Sequence, residues 1–211
     1  MDPTIRPATP EDAPVVAELM YLAGKSHVET SIYDLMFPGS MEQRLHKLEG
    51  LFTTQARSWY HYSHYLVCEV GGEVAGSMCG FNELESGGTL LRDAFIEMGT
   101  DREEGKAMYT RMLPFHRVNP KHYEDSWVVE HVAVFPDFRG RGVATALLEE
   151  VLGRGRKAGY ASAELNMLIG NTPARRTYEK AGFVIVEENT DGEFMRIFNS
   201  PGMVRFYMQS S

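Results

Sequence analysis

Two β-rich runs, Tyr65 to Val70 and Glu73 to Phe81, flank Gly71-Gly72, a pair able to supply the positive φ of a two-residue turn. The pattern predicts a β-hairpin. Upstream, the short apolar alternation Thr4-Ile5-Arg6-Pro7 reads as a strand, and Thr9-Pro10-Glu11-Asp12 reads as a helix start with Thr9 as cap and Pro10 in the first position. Val15, Val16, Leu19, Met20 and Ala23 continue at helical spacing, and a second helix is predicted from Ser40, with Leu45, Leu48, Leu51 and Phe52 on one face.

Downstream of the hairpin, residues 82–126 lose clear periodicity and read as an insertion of undefined structure, with helical character between Asp93 and Leu113. Trp127 to Val134 is again β-rich. It runs through Phe135-Pro136-Asp137-Phe138 into Arg139-Gly140-Arg141-Gly142, after which Val143, Ala144, Leu147, Leu148, Val151 and Leu152 form one helix face. Gly159 is positioned to end that helix. Ala161 to Met167 reads as a strand, Thr172-Pro173 opens a helix running to Lys180-Ala181 with Gly182 after it, and 183–186 and 204–208 read as the last strands. A hairpin followed by alternating strands and helices implies an α/β chain with a mixed sheet and helices on its faces, organised as a single domain over 1–211.

The chain's 211 residues are 43% hydrophobic, enough for a core, so disorder is excluded. Its 21 Lys plus Arg against 29 Asp plus Glu leave a net charge of −8, which argues against a nucleic-acid-binding α/β domain. No apolar stretch approaches the roughly 18 residues of a membrane span, and Met1-Asp2-Pro3-Thr4 lacks a signal pattern, so a cytoplasmic protein without membrane partners is expected. Cys68 and Cys79 lie in the hairpin without metal-ligand spacing and read as buried thiols. No metal is expected. His61 and His64, inside Trp59 to Tyr65, have no third ligand nearby and read as packing residues in the core or at a dimer contact.

The loop Arg139-Gly140-Arg141-Gly142-Val143-Ala144, between a strand and a helix, lets successive backbone amides approach an anion while the helix directs its positive end at the same point. Phosphate binding is one reading of it, and a plain strand-to-helix turn is the other. The lysine of GxxxxGK[ST] is absent and Thr145 stands where GxGxxG has its third glycine, so ATP and NAD are disfavoured. The side chains of Arg139 and Arg141 either assist an anion or are simply solvated.

Here the sequence resembles the GNAT superfamily of acyl-CoA-dependent N-acyltransferases. Arg139, Gly140, Arg141, Gly142, Val143 and Ala144 match its [Q/R]-x-x-G-x-[G/A] signature after a strand. Asn171, Ala174, Tyr178, Lys180, Gly182 and Phe183 match a second one, N-x-x-A-x-x-x-Y-x-K-x-G-F, beginning 32 residues after Arg139. The resemblance covers 127–183 strongly. It implies a mixed, mostly antiparallel GNAT-like sheet splayed between its fourth and fifth strands, with acetyl-CoA as co-substrate in the splay. The pyrophosphate would rest on the amides of Arg141 to Thr145, and the pantetheine arm would lie along Val132, Ala133 and Val134, pairing with the backbone of Val132 and Val134. Asn171 would contact the same arm, and Ala174 would keep the helix face low.

Amide formation requires a neutral amine, hence a base, and the departing thiolate benefits from an acid. Strand alternation puts Glu130 on the same face as Val132 and Val134, where it resembles the family's base; His131 is the rival if a β-bulge reverses the facing. Tyr178 shares a helix face with Ala174 and matches the family tyrosine that protonates the leaving thiolate or positions the thioester. The acidic group Glu83, Glu85, Asp93, Glu97, Asp101, Glu103 and Glu104 is either part of an acceptor pocket for a cationic amine or a solvated face. The reading is an N-acetyltransferase acting on a primary amine, of a small molecule or peptide, by direct attack in a ternary complex. The rival is a non-catalytic acyl-CoA-binding or sensing module of the same fold. A homodimer is compatible with either.

Overall fold

The computed structural model describes residues 3–209. Met1 and Asp2 of the stretch Met1-Asp2-Pro3-Thr4, which lacks a signal pattern, lie outside the described residues. Seven strands form one sheet in the order β1-β2-β3-β4-β5-β7-β6. They are β1 (Thr4–Pro7), β2 (Tyr65–Val70), β3 (Glu73–Phe81), β4 (Trp127–Val134), β5 (Ser162–Leu168), β6 (Val184–Thr190) and β7 (Gly202–Gln209). All neighbours are antiparallel except β4 and β5.

The predicted hairpin forms, closed by Gly71 and Gly72 with φ of 68° and 87°. The first helix, α1 (Ala13–Lys25), follows a 3-10 turn at Pro10–Asp12. Thr9 occupies the N-cap position of that turn with Pro10 first, as expected, but its hydroxyl accepts no cap hydrogen bond. Its amide and hydroxyl both donate to Asp12 Oδ2, at 2.7 and 3.1 Å, and Asp12 is also gripped by Arg6. A five-residue helix absent from the sequence reading, α2 (Ile32–Met36), is capped by Ser31, and α3 (Met41–Phe52) begins after Ser40 as expected. The stretch 82–126 folds as four short helices, α4 (Glu83–Ser86), α5 (Gly88–Glu97), α6 (Arg102–Arg111) and α7 (Leu113–Val118). Asn82 and Asp101 cap two of them. The expected helices downstream are α8 (Val143–Lys157) and α9 (Thr172–Lys180); a further one, α10 (Gly192–Phe198), was not expected.

Two apolar layers sandwich the sheet. On one face α1, α2, α3 and α5 bury Val16, Met20, Tyr33, Leu48, Leu51, Phe52 and Phe95 against Val67, Cys79, Phe81 and Val128. On the other, the stripe Val143, Leu147, Leu148, Val151 and Leu152 of α8 packs on Leu66, Met78, Val129 and Leu165, with Tyr178 of α9 in the same cluster. A smaller cluster around Val118, Phe194 and Phe198 joins α7 to α10 beside Leu168 and Met203. Cys68 and Cys79 are buried free thiols.

Candidate active site

Strands β4 and β5 pair only at their first residues, Trp127 with Ala163 and Val128 with Glu164, and then diverge. Val129 to Val134 on one side and Leu165 to Leu168 on the other line the resulting cavity of about 610 Å³. Its size falls within the range of small-molecule sites, roughly 300–1,000 Å³. Gly142, Val143, Ala144 and Thr145, the first turn of α8, form one end, so the amides left unpaired at a helix start point into it.

Gly140 and Gly142 adopt φ of 73° and 80°, a conformation other residues enter at a cost of roughly 1–2 kcal/mol. A Cβ built on either glycine meets nothing within 4 Å. Backbone shape and open space, the features an anion cradle needs, therefore coincide. Arg139 lines the cavity and donates from Nε to the Val134 carbonyl at 3.2 Å, whereas Arg141 lies over the Phe138 ring, 5.5 Å from its centre, and does not line it. Asn171 also lines the cavity, but its side chain is engaged. Oδ1 caps α9 by accepting from the Ala174 amide at 3.2 Å, and Nδ2 donates to Ser26 Oγ at 2.8 Å. Ala174 and Tyr178 complete that wall.

The alternation expected for β4 fails at one residue. His131 has φ of 51°, and Met78 alone spans the interval between the pairs Ser77–Ala133 and Cys79–Glu130. This is a β-bulge, with His131 and Val132 opposite one residue. In consequence Glu130, paired with Cys79, belongs to the face of α1 and α3, while Val132 and Val134 pack toward α8. Glu130 is thus on the opposite face from Val132 and Val134, although all three border the cavity. The bulge also turns His131 into the layer of α1, α2 and α3. There its Nε2 meets the Tyr33 hydroxyl at 2.7 Å and its Nδ1 meets the Tyr65 hydroxyl. A neutral ring satisfies both contacts, and burial does hold the His131 pKa down, against the pull of Glu130.

Glu130 is about one-quarter exposed and receives a hydrogen bond from His122 Nε2 at 3.3 Å. Burial would raise its pKa, but the hydrogen bond from His122 and the charge of that ring outweigh this and hold it below the usual carboxylate value. Tyr178 is 6% exposed, its ring edge-on to Phe183 and Phe206. Burial pushes its pKa up, and among the described residues its hydroxyl has no protein hydrogen-bond partner. Of the titratable groups bordering the splay, Glu130 is therefore a carboxylate that stays ionised and Tyr178 a phenol that stays protonated.

Sequence reading missed His122, Ser26, His27, Asn119 and Asn166. His122 holds Glu130, and the other four line the cavity. Polar Ser26 and His27, directly after the apolar stripe of α1, are the only local hint. None of the acidic group from Glu83 to Glu104 borders the cavity; Glu97 accepts from the Gln55 and Ala56 amides, Asp101 caps α6, and Glu85 receives the Tyr160 hydroxyl. His61 caps the turn at Tyr62–His64 and packs on Tyr62, in keeping with a packing role. No helix among the described residues is long and apolar enough to cross a membrane.

A model of the Acetyltransferase (GNAT) family matches residues 30–183. Comparison with curated protein sequences finds no match. Among solved structures, an acetyltransferase superposes with a TM-score of 0.69 at 22% identity, covering 99% of this chain and 100% of its own. An N-acetyltransferase from Staphylococcus aureus Mu50 gives 0.67 at 25% identity, covering 97% and 100%. The protein yncA from Salmonella typhimurium, solved with its cofactor acetyl-CoA, gives 0.58 at 17% identity, covering 100% and 95%.

Proposed function

Because the chain belongs to the acetyltransferase (GNAT) family, we propose that it is an N-acetyltransferase that moves acetyl from acetyl-CoA to the primary amine of a small molecule or peptide, by direct attack in a ternary complex. The observation that carries this reading is the splay itself, which has a helix N-terminus with an open glycine cradle at one end and Glu130 and Tyr178 on its walls. The amine would enter along the part of the wall that carries Leu22, Ile32, Phe115 and Met203, with the polar Asn119 and Asn166 among them.

Bound there, acetyl-CoA would supply an acetyl thioester, whose carbonyl carbon gains a bond to the amine nitrogen as its C–S bond breaks. The amides of Arg141 to Thr145 would hold the pyrophosphate, and Val132, Ala133 and Val134 would face the pantetheine arm. Glu130, ionised, accepts the proton lost by the amine, directly or through a water. Tyr178 gives its hydroxyl proton to the departing sulfur and regains one from solvent. His131 is the weaker base candidate because both of its ring nitrogens already face tyrosine hydroxyls.

The test is release of CoA thiol from acetyl-CoA over a panel of amines, with the acetylated product identified by mass. Release that requires both enzyme and amine supports the proposal. Binding of acetyl-CoA without thiol release for any amine would instead identify a non-catalytic acyl-CoA-binding module.

A further inference from the structure

From Glu130, five ionisable side chains run in alternating sign across the sheet, Glu130 being the first. His122 donates to Glu130 Oε1 from Nε2 at 3.3 Å, and its Nδ1 lies 3.5 Å from Glu164 Oε1 on β5. Glu164 Oε2 is 3.7 Å from Arg205 Nη1 on β7, and Arg205 Nη2 bonds Glu187 Oε2 on β6 at 2.5 Å. Arg205 and Glu187 are direct partners in the β6–β7 register. The ladder begins at the cavity wall and ends on the half-buried Glu187, with the wholly buried Glu164 at its centre.

The charge of His122 follows from this geometry. A carboxylate only accepts, so the nitrogen facing Glu130 carries a proton. A neutral ring would then turn the lone pair of Nδ1 toward the buried Glu164 carboxylate, and Nδ1 has no hydrogen-bond partner to offset that repulsion. Arg205 approaches the other oxygen of Glu164, Oε2, at 3.7 Å and not the Oε1 that faces His122, and its two Nη atoms also bond Glu187 and the Lys121 carbonyl. An imidazolium satisfies both carboxylates. Three carboxylates against two cations leave one negative charge, and the member open to the cavity is Glu130.

Resting on the reading of Glu130 as the base, we propose that His122 is a positioning residue, a fixed cation clamped between Glu130 and Glu164 that keeps Glu130 ionised and oriented toward the amine. The other groups around the pair are accounted for. His131 lies 3.9 Å from Glu130 and is neutral, and Tyr33, Tyr60, Tyr65 and Cys79 are buried with raised pKa values, hence uncharged. Glu83 of α4 adds further negative potential near His122, and Phe81 of β3 presents its ring edge-to-face with the imidazole. Burial opposes the charge on His122, but the Glu130 hydrogen bond and both carboxylates outweigh it and hold its pKa at about 9.

Two measurements test the role. Histidine-selective ¹⁵N NMR of the wild-type chain at pH 7.5, assigned by comparison with His122→Gln, should show the His122 ring as an imidazolium; a neutral tautomer overturns the proposal. In His122→Gln, which keeps a hydrogen-bond donor and loses the charge, the acidic limb of kcat/KM should move up by at least one pH unit while acetyl-CoA affinity stays unchanged. A limb that does not move, with kcat lowered equally at all pH values, also overturns it. The ring charge is read without substrate, so an imidazolium in a chain that turns over no amine would count against the acetyltransferase reading and not against the charge ladder.

Discussion

Tyr178→Phe isolates the proposed acid. The ring packs edge-on to Phe183 and Phe206 at 6.3 and 5.7 Å, contacts that phenylalanine keeps. The lost hydroxyl has no protein partner among the described residues, so no hydrogen bond is removed and stability should change by no more than about 0.5 kcal/mol. For a chain of this length that is about 1–2 °C in Tm. Burial keeps the phenol protonated through the neutral range, so the substitution removes a donor at every working pH. General acid catalysis typically contributes 10²–10⁴-fold, and kcat should fall by about that factor while acetyl-CoA affinity holds. Thiol release under saturating acetyl-CoA, a direct binding titration and a thermal melt together read all three quantities. A kcat within about threefold of wild type, or a loss of acetyl-CoA binding equal to the loss of kcat, would refute the role.

Gly155 of α8 faces Trp127 of β4, and a Cβ there would sit 2.5 Å from the indole Cγ. Gly155→Ala gains about 1 kcal/mol of helix propensity but overpacks a ring wedged between helix and strand, at about 1–3 kcal/mol, so Tm should fall; an unchanged or higher Tm contradicts this. Asp12 is held below the usual carboxylate range by the Arg6 guanidinium, at 2.8 Å from both of its oxygens, with burial opposing and the Thr9 amide assisting. A depressed native pKa stabilises the fold fully above the unfolded value of about 3.9 and ceases to do so as pH falls through the lower native value. The stability advantage of wild type over Asp12→Asn should therefore shrink in acid, and a difference constant from pH 7 to pH 2 would rule this out. Gly142→Glu places bulk and negative charge in the cradle at a φ of 80°, and should abolish acetyl-CoA binding while costing roughly 1–2 kcal/mol of stability.

The hairpin, α8 and α9 were legible because each carries its own punctuation: Gly71-Gly72, the Gly142 start, and Thr172-Pro173 with Gly182. The apolar stripe of α8 also keeps a helical period along its length. The helices of 82–126 were not, since α4 has four residues and α6 buries none of its side chains, leaving no apolar stripe to read. The facing of Glu130 was misread for a different reason. A bulge is a mismatch between two strands, and His131 carries no glycine or proline to mark it. The compensating partners, Tyr33 and Tyr65, lie 98 and 66 residues away. His122 is invisible for the same cause: its meaning comes from Glu130 and Glu164 on two strands that meet only in the folded sheet.

The central claim, that the β4–β5 splay is an acetyl-CoA site, is tested most directly by the thermal shift of the wild-type chain with acetyl-CoA, with ATP, NAD and Gly142→Glu as controls. Ligand at 100 times its Kd adds about 2.7 kcal/mol, or roughly 5–10 °C for a chain of this size. A rise of that order with acetyl-CoA alone, lost in Gly142→Glu, is the expected result. No shift at millimolar acetyl-CoA, or an equal shift with ATP or NAD, would contradict it.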